Sequence, residues 1–307
     1  MRVDAHAHML PADYRRELER RDLLRFPLPP WSEEALDALM ARHAIDAAVL
    51  SLSPPGVWFG DQGLADDLAR RVNELIAAKV EREPRRFGGL AVLPLPDIDR
   101  SLAELTNAYD TLDLDGVILS SNTAGVYLGD PSLDPLMAEL DRRGAYVLRH
   151  PTVPPNPLPL PQHPMWLYEF PFDTTRAVVN MIYTGTLTRF PNIRWQISHL
   201  GGAATFLAQR IASLADREPE KAADAGAGAI ELLGRLWYDT GLSNNRIALA
   251  STREVAPDER IVFGTDWPYA ALPPDGDPAP ELDVLGAGRA AVDATNVAAL
   301  VPRLAGR

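Results

Sequence analysis

The stretch MRVDAHAH, residues 1–8, opens the chain and decides how the rest is organised. It alternates small or apolar residues with polar ones and holds no Gly or Pro, the pattern of a short β-strand. Side chains at i and i+2 of a strand share one face. His6 and His8 therefore stand side by side at the end of the strand, which is half of a metal site. The chain has six histidines, so two within three residues need a reason.

Outward from this strand, apolar and β-branched runs recur at 46–52, 88–95, 115–120, 145–149, 193–198, 236–239 and 260–264. Stretches with helical spacing lie between them, at 32–44, 63–83, 98–112, 132–143, 173–189, 203–216, 243–255 and 280–300. Ser32 before Glu33-Glu34, Asp99 before Ser101 and Pro131-Ser132 supply helix starts. Eight strand–helix units in 307 residues fit a parallel (β/α)8 TIM barrel spanning 1–307 as one domain. A doubly wound sheet is the alternative, but no Gly-rich phosphate loop follows the first strand. The Pro-rich stretch 152–164 follows the fifth strand and is expected as a long loop over the barrel mouth.

In such a barrel the C-terminal strand ends share one rim, where active sites lie. His6 and His8 end the first strand, His150 the fifth, His199 the sixth and Asp266 the eighth. Imidazole and carboxylate donors suit zinc, and also manganese, iron or cobalt. Of the other histidines, His43 falls near a helix end and His163 in the Pro-rich loop, and neither is needed for the site.

Composition narrows the function. There is no cysteine, which excludes disulfides, a Cys nucleophile and thiolate metal sites. The net charge of −12 with no basic run argues against a nucleic-acid partner. No apolar run is long enough to span a membrane and no secretory leader precedes the first strand, so the expected location is the cytoplasm.

The rim residues lie in wider motifs. These are Asp4-Ala5-His6-Ala7-His8, Pro84-Arg85-Arg86-Phe87-Gly88-Gly89-Leu90, Tyr127-Leu128-Gly129-Asp130-Pro131 and Arg149-His150-Pro151. Further along come Glu169-Phe170-Pro171-Phe172-Asp173-Thr174-Thr175-Arg176, Gly185-Thr186-Leu187, Arg189-Phe190-Pro191, His199-Leu200-Gly201-Gly202 and Gly264-Thr265-Asp266. Across most of its length the chain resembles the amidohydrolase superfamily. Within it, the likeness is to the decarboxylase branch of aminocarboxymuconate-semialdehyde and 6-methylsalicylate decarboxylases, the latter especially.

The resemblance implies metal ligation by His6, His8, His150 and Asp266, with one zinc the usual ion; manganese is second, since sites containing a carboxylate also accept it. It implies that His199 is the acid/base, and that Arg210 reaches across a homodimer to hold a substrate carboxylate. A second carboxylate-binding arginine of that branch has no counterpart in register. Pro27 stands there and Arg25 is the nearest substitute, which disfavours the semialdehyde substrate. Binuclear members carry a carboxylated lysine after the fourth strand. Here that strand ends in Leu119-Ser120-Ser121-Asn122, far from Lys79 and Lys221, which points to a single metal.

The expected reaction is loss of carbon dioxide from a small aromatic or enolic carboxylic acid, with the ring carbon protonated by His199 or Asp266, His199 being favoured. Trp58, Phe59, Trp166 and Phe170 could hold a flat ring. Hydrolysis of an amide, lactone or ester, and hydration of a ring-cleavage product, are the alternatives the same residues would serve.

Overall fold

The structure, a computed structural model, describes residues 1–24, 26–158, 160 and 162–305. Eight parallel strands follow one another around the sheet in sequence order. They are β1 (Val3–His8), β2 (Ala47–Ser51), β3 (Phe87–Val92), β4 (Gly116–Ser120), β5 (Tyr146–His150), β6 (Arg194–Ile197), β7 (Trp237–Asp239) and β8 (Ile261–Val262). Nearly every strand residue is buried, because helices cover the outer face while side chains fill the interior. That double burial explains why the runs are so apolar.

The ring closes through the segment that follows β8. Ala5 N donates to Phe263 O at 2.8 Å, Asp266 N to His6 O at 2.7 Å and His8 N to Trp267 O at 2.8 Å. The (β/α)8 expectation holds, with strand boundaries shifted by a few residues at most.

The outer layer contains α1 (Ala12–Arg20), α2 (Glu33–Arg42), α3 (Gln62–Arg82), α4 (Ile98–Asp110), α5 (Asp134–Arg143), α6 (Glu169–Tyr183), α7 (Ala208–Ala212), α8 (Ala229–Arg235) and α9 (Arg246–Arg253). Their starts follow side-chain chemistry. Ser32 Oγ accepts from Ala35 N at 3.1 Å and Asn245 Oδ1 from Ala248 N at 3.0 Å. At α4 the cap is Asp97, which accepts from Arg100 N at 3.0 Å, and not Asp99. The sequence pattern did not single out α1 or α8. A small hairpin, Asn122–Thr123 with Val126–Tyr127, follows β4.

One expected helix is absent. Residues 280–300 form a succession of 3-10 and π turns. Gly286 turns back at φ 55°, which ends any regular helix there. Tertiary bonds then hold the remainder in irregular form. Asn296 Nδ2 donates to Asp258 O at 2.8 Å and Ile261 O at 2.7 Å, and Phe263 N donates to Val292 O at 2.9 Å.

This C-terminal segment covers the end of the barrel opposite the site. Arg303 pairs with Asp115 at 2.6 Å just before β4, and Arg194 at the start of β6 donates to Leu300 O at 3.3 Å. Likewise, the expected helix 203–216 is broken into α7 and a short turn, Leu214–Arg217.

Candidate metal centre

The structure brings His6, His8, His150 and Asp266 together. One donor atom from each lies within 4.8 Å of the others, and all four residues are buried. Strand periodicity puts His6 and His8 on one face of β1, with their Nε2 atoms 3.1 Å apart. Barrel closure brings Asp266 beside them. Its Oδ1 lies 2.8 Å from His8 Nε2, 3.3 Å from His6 Nε2 and 3.8 Å from His150 Nε2. Its Oδ2 lies 3.1 Å from His199 Nε2.

Gly264 makes this approach possible, since a Cβ there would sit 2.8 Å from His6 Cβ. Asp4 fixes the same corner. Its carboxylate accepts from His6 N at 3.0 Å, Thr265 N at 3.0 Å and Thr265 Oγ1 at 2.5 Å. Both Asp266 and His199 have left-handed backbones, φ 62° and φ 59°. Each such residue costs about 1–2 kcal/mol, and strain of this kind collects at functional sites where neighbours impose it.

Each ligand histidine is held from behind by its Nδ1. His6 donates to Asp239 Oδ1 at 2.9 Å, His8 to Ser51 Oγ at 3.1 Å and His150 to the Pro151 carbonyl at 2.7 Å. All three Nε2 atoms therefore face the common centre. This is the arrangement in which outer carboxylates, hydroxyls and carbonyls fix metal-binding imidazoles.

The electrostatics fit a cation. Burial pushes His150 down to about 3 and also lowers His8, so both are neutral imidazoles with a free lone pair. Burial would lower His6 too, but Asp239, Asp266 and Asp4 outweigh it and raise it to about 9. Burial raises Asp266, yet the charge on His6 first, with His199 and the other imidazoles around it, holds it well below the usual carboxylate range. Burial lifts Asp4 to about 6. Three buried carboxylates draw positive charge to one point, and the buried His150 Nε2 has no hydrogen-bond partner. Three nitrogens and one carboxylate are a donor set for zinc or manganese.

Two neighbours were missed by the sequence reading. Asp239 ends β7 and is fully buried. Besides His6 it accepts from His199 N at 3.1 Å, Gly241 N at 3.0 Å and Gln196 Nε2 at 2.8 Å. The rule used for the other strand ends would have found it. Tyr269, three residues after Asp266, sits edge-on to the His8 ring at 5.9 Å and shares a 2.8 Å bond with Ser53.

The expected substrate contacts are less concentrated. Trp58 and Phe59 are half-buried and pack on the core after β2, and Phe170 is half-buried at the start of α6. Trp166 is 57% exposed. Arg210 is exposed on α7, and among the described residues its guanidinium makes no ion pair. Arg25 lies outside the described residues. His163 is exposed in the Pro-rich loop, whereas His43 is buried and bonds Gly276 O at 2.9 Å. A surface cleft of about 230 Å³ lies between α1 and α3 and includes none of the clustered residues.

These features belong to a recognised class. The chain belongs to the amidohydrolase family, matching its pattern over residues 3–301. It is 31% identical to a 6-methylsalicylic acid decarboxylase of Penicillium expansum, over 88% of this chain and 85% of that one. To a 2-amino-3-carboxymuconate-6-semialdehyde decarboxylase of Dictyostelium discoideum it is 32% identical, over 78% and 67% of the two chains.

Among solved structures, an amidohydrolase II protein superposes with TM-score 0.85 at 26% identity, covering 98% of this chain and 99% of that one. A 5-carboxyvanillate decarboxylase of Novosphingobium aromaticivorans, complexed with manganese and 4-hydroxy-3-methoxy-5-nitrobenzoic acid, superposes with TM-score 0.83. It covers 98% of this chain and 95% of that one at 19% identity, a likeness of fold.

Proposed function

We propose that this chain is a metal-dependent, non-oxidative decarboxylase of a small aromatic or enolic carboxylic acid, with a 6-methylsalicylate-like acid favoured. The observation that carries the reading is the shared carboxylate of Asp266. One of its oxygens faces His6, His8 and His150, and the other lies 3.1 Å from His199 Nε2. A ligand set and an acid/base group thus meet at one buried residue.

His6, His8, His150 and Asp266 would hold one divalent ion. Zinc is the first expectation, and the manganese in the 5-carboxyvanillate decarboxylase keeps manganese close behind. When bound, the ion neutralises negative charge on the substrate carboxylate and its neighbouring oxygen.

The protein's own work is proton delivery. An aryl carboxylate cannot simply shed carbon dioxide, because the pair left on the ring carbon would be unstabilised. His199 therefore gives its Nε2 proton to the carbon that bears the carboxylate. The bond to the carboxylate carbon then breaks, its electron pair returns to the ring, and carbon dioxide leaves. Asp266 is held ionised, so it aims His199 through Oδ2 and is itself a poor donor.

The proposed assembly is a homodimer in which Arg210 of each chain serves the mouth of the other. Supporting it, α7 exposes Arg210, Phe206 just before that helix is 80% exposed, and Ile247 at the start of α9 is 85% exposed. Such apolar exposure suits a protein interface. No helix among the described residues is long and apolar enough to cross a membrane. The reading is completed by one domain, residues 1–307, acting in the cytoplasm. Inactive Arg210→Ala mixed with inactive His199→Ala should regain activity through hybrid dimers, and no rescue would argue for a site within one chain.

The function is tested by metal analysis, then by incubation with a panel of ortho-hydroxybenzoic acids followed by mass spectrometry. Loss of one carbon dioxide from a panel member is expected. An ester or amide cleaved without carbon dioxide would make the chain a hydrolase instead.

A further inference from the structure

Asp173 to Arg176 lie on α6, outside the barrel wall, and the proposed reaction uses none of them. Asp173 is nevertheless fully buried, and donors from two barrel loops converge on its carboxylate. Oδ1 accepts from the Tyr127 hydroxyl at 2.6 Å. Oδ2 accepts from the Ser121 hydroxyl and, at 3.2 Å, from Thr152 N–H. The buried Arg149 guanidinium, bonded to Thr174 Oγ1 at 2.9 Å, places positive charge nearby.

Thr152 N–H and the Pro151 carbonyl are the two ends of one peptide group. That carbonyl accepts from His150 Nδ1 at 2.7 Å. A chain therefore runs from the Asp173 carboxylate through the 151–152 amide to the His150 imidazole, whose Nε2 faces the centre. The amide is planar, so an anchored N–H fixes the direction of its C=O. An anion on the N–H also polarises the group and makes the carbonyl oxygen a stronger acceptor.

The surroundings hold this geometry in place. Ser121 N donates to His150 O at 2.9 Å, and Ser121 Oγ lies 3.3 Å from the same Thr152 N–H. Two residues along, Thr175 Oγ1 accepts from Ala203 N at 3.0 Å, in the loop that follows His199.

We propose that Asp173 is a positioning residue for His150, acting through the Pro151–Thr152 peptide as Asp239 acts directly on His6. The inference rests on the metal reading above. Asp173 orients the ring and strengthens Nε2 as a ligand without touching substrate or ion. It also gives the Phe172-Asp173-Thr174-Thr175-Arg176 motif a task that composition alone does not suggest.

The test is a double-mutant cycle read as zinc affinity, by competition with chelators of graded strength. Wild type, Asp173→Ala, His150→Ala and the double variant are compared, with the melting temperature of each chelator-stripped protein as the folding control. Asp173→Ala should weaken zinc binding roughly 10- to 100-fold, the usual cost of losing an outer partner. In the His150→Ala background the same change should cost under about threefold, because the coupled partner is gone.

Equal losses in both backgrounds would make Asp173 a general stabiliser and overturn the proposal, as would unchanged affinity in Asp173→Ala. Should that variant fold poorly, Asp173→Asn keeps the shape and one acceptor oxygen but loses the charge, and it must still weaken binding for the proposal to stand. A wild-type protein that binds no zinc or manganese refutes the metal reading itself, and this is seen before any variant is compared.

Discussion

Replacing Asp239 by Asn probes the centre through one carboxylate. Oδ1 of Asp239 receives three N–H groups, from His6, His199 and Gly241, at 2.9, 3.1 and 3.0 Å. Oδ2 receives Gln196 Nε2 at 2.8 Å. Asn can keep its oxygen on the crowded side, but its NH2 then meets the Gln196 NH2. Gln196 must turn over, giving up its 3.2 Å bond to Ala5 O and withdrawing Oε1 from the Tyr146 hydroxyl at 2.7 Å. One or two buried bonds lost or weakened amount to about 1–2 kcal/mol of stability.

The larger effect falls on His6, which loses the anion behind its Nδ1. An outer partner of this kind sustains about 10- to 100-fold in metal affinity, or about 1.4–2.8 kcal/mol. Asp239→Asn should therefore purify with less metal and lose it to a chelator at 10- to 100-fold lower concentration. The denaturation midpoint of the stripped protein should shift only modestly. Metal affinity within about twofold of wild type, well short of the usual outer-partner cost, would refute the assignment of His6 as a ligand braced by Asp239.

Three further outcomes are expected. His199→Ala should keep metal and fold while losing turnover by roughly 100-fold or more; near-normal turnover would remove His199 from the chemistry. His6 is raised to about 9 in the absence of an ion, so metal must displace its proton at neutral pH. Calorimetry in buffers of differing ionisation enthalpy should show about one proton released, with affinity climbing about tenfold per pH unit up to near 9 and levelling above; no proton release would contradict the charge balance described. Arg303→Ala should lower unfolding stability by about 1–2 kcal/mol, since the nearly buried Asp115 loses the partner of its Oδ1 while Oδ2 keeps the Gly89 N–H, and should leave metal affinity unchanged. Unchanged stability would mean that the C-terminal segment does not clamp the barrel floor.

The five rim residues were legible because a parallel barrel converts sequence position into spatial position. A polar residue that ends an apolar run in such a sheet lies on the common rim, however far apart the runs are. The same logic covered Asp239, which ends Trp237–Asp239, but a lone Asp before Thr240-Gly241 looks like a turn. Its role appears only when His6 is seen to need a partner behind it. Tyr269 was hidden for another reason, since loop geometry and not strand period sets its place against His8. The stretch 280–300 misled because its apolar spacing resembles a helix. Gly286 and the pull of Asn296 on Asp258 and Ile261 are stronger than that weak periodicity. Arg210 and Trp166 stand exposed, and a role for either rests on the homodimer proposed above.

Barrel closure and construction of the centre are one event. The bonds that seal β8 to β1 are those that place Asp266: its N–H on His6 O, the Thr265 N–H and hydroxyl on Asp4, and His8 N on Trp267 O. If the seal opened, Asp266 would leave His8 and His199 at the same time, and the proposed ligand and the proposed proton donor would be parted together. Conversely, an ion drawing His6, His8, His150 and Asp266 to one point ties the first, fifth and eighth strands across the mouth. Metal binding should therefore stabilise the whole barrel, because an ion held by the native state and not by the unfolded chain adds its binding free energy to folding. That stabilisation should shrink in step with affinity in Asp239→Asn and Asp173→Ala. It should stay intact in Arg303→Ala, whose defect lies at the opposite end of the barrel.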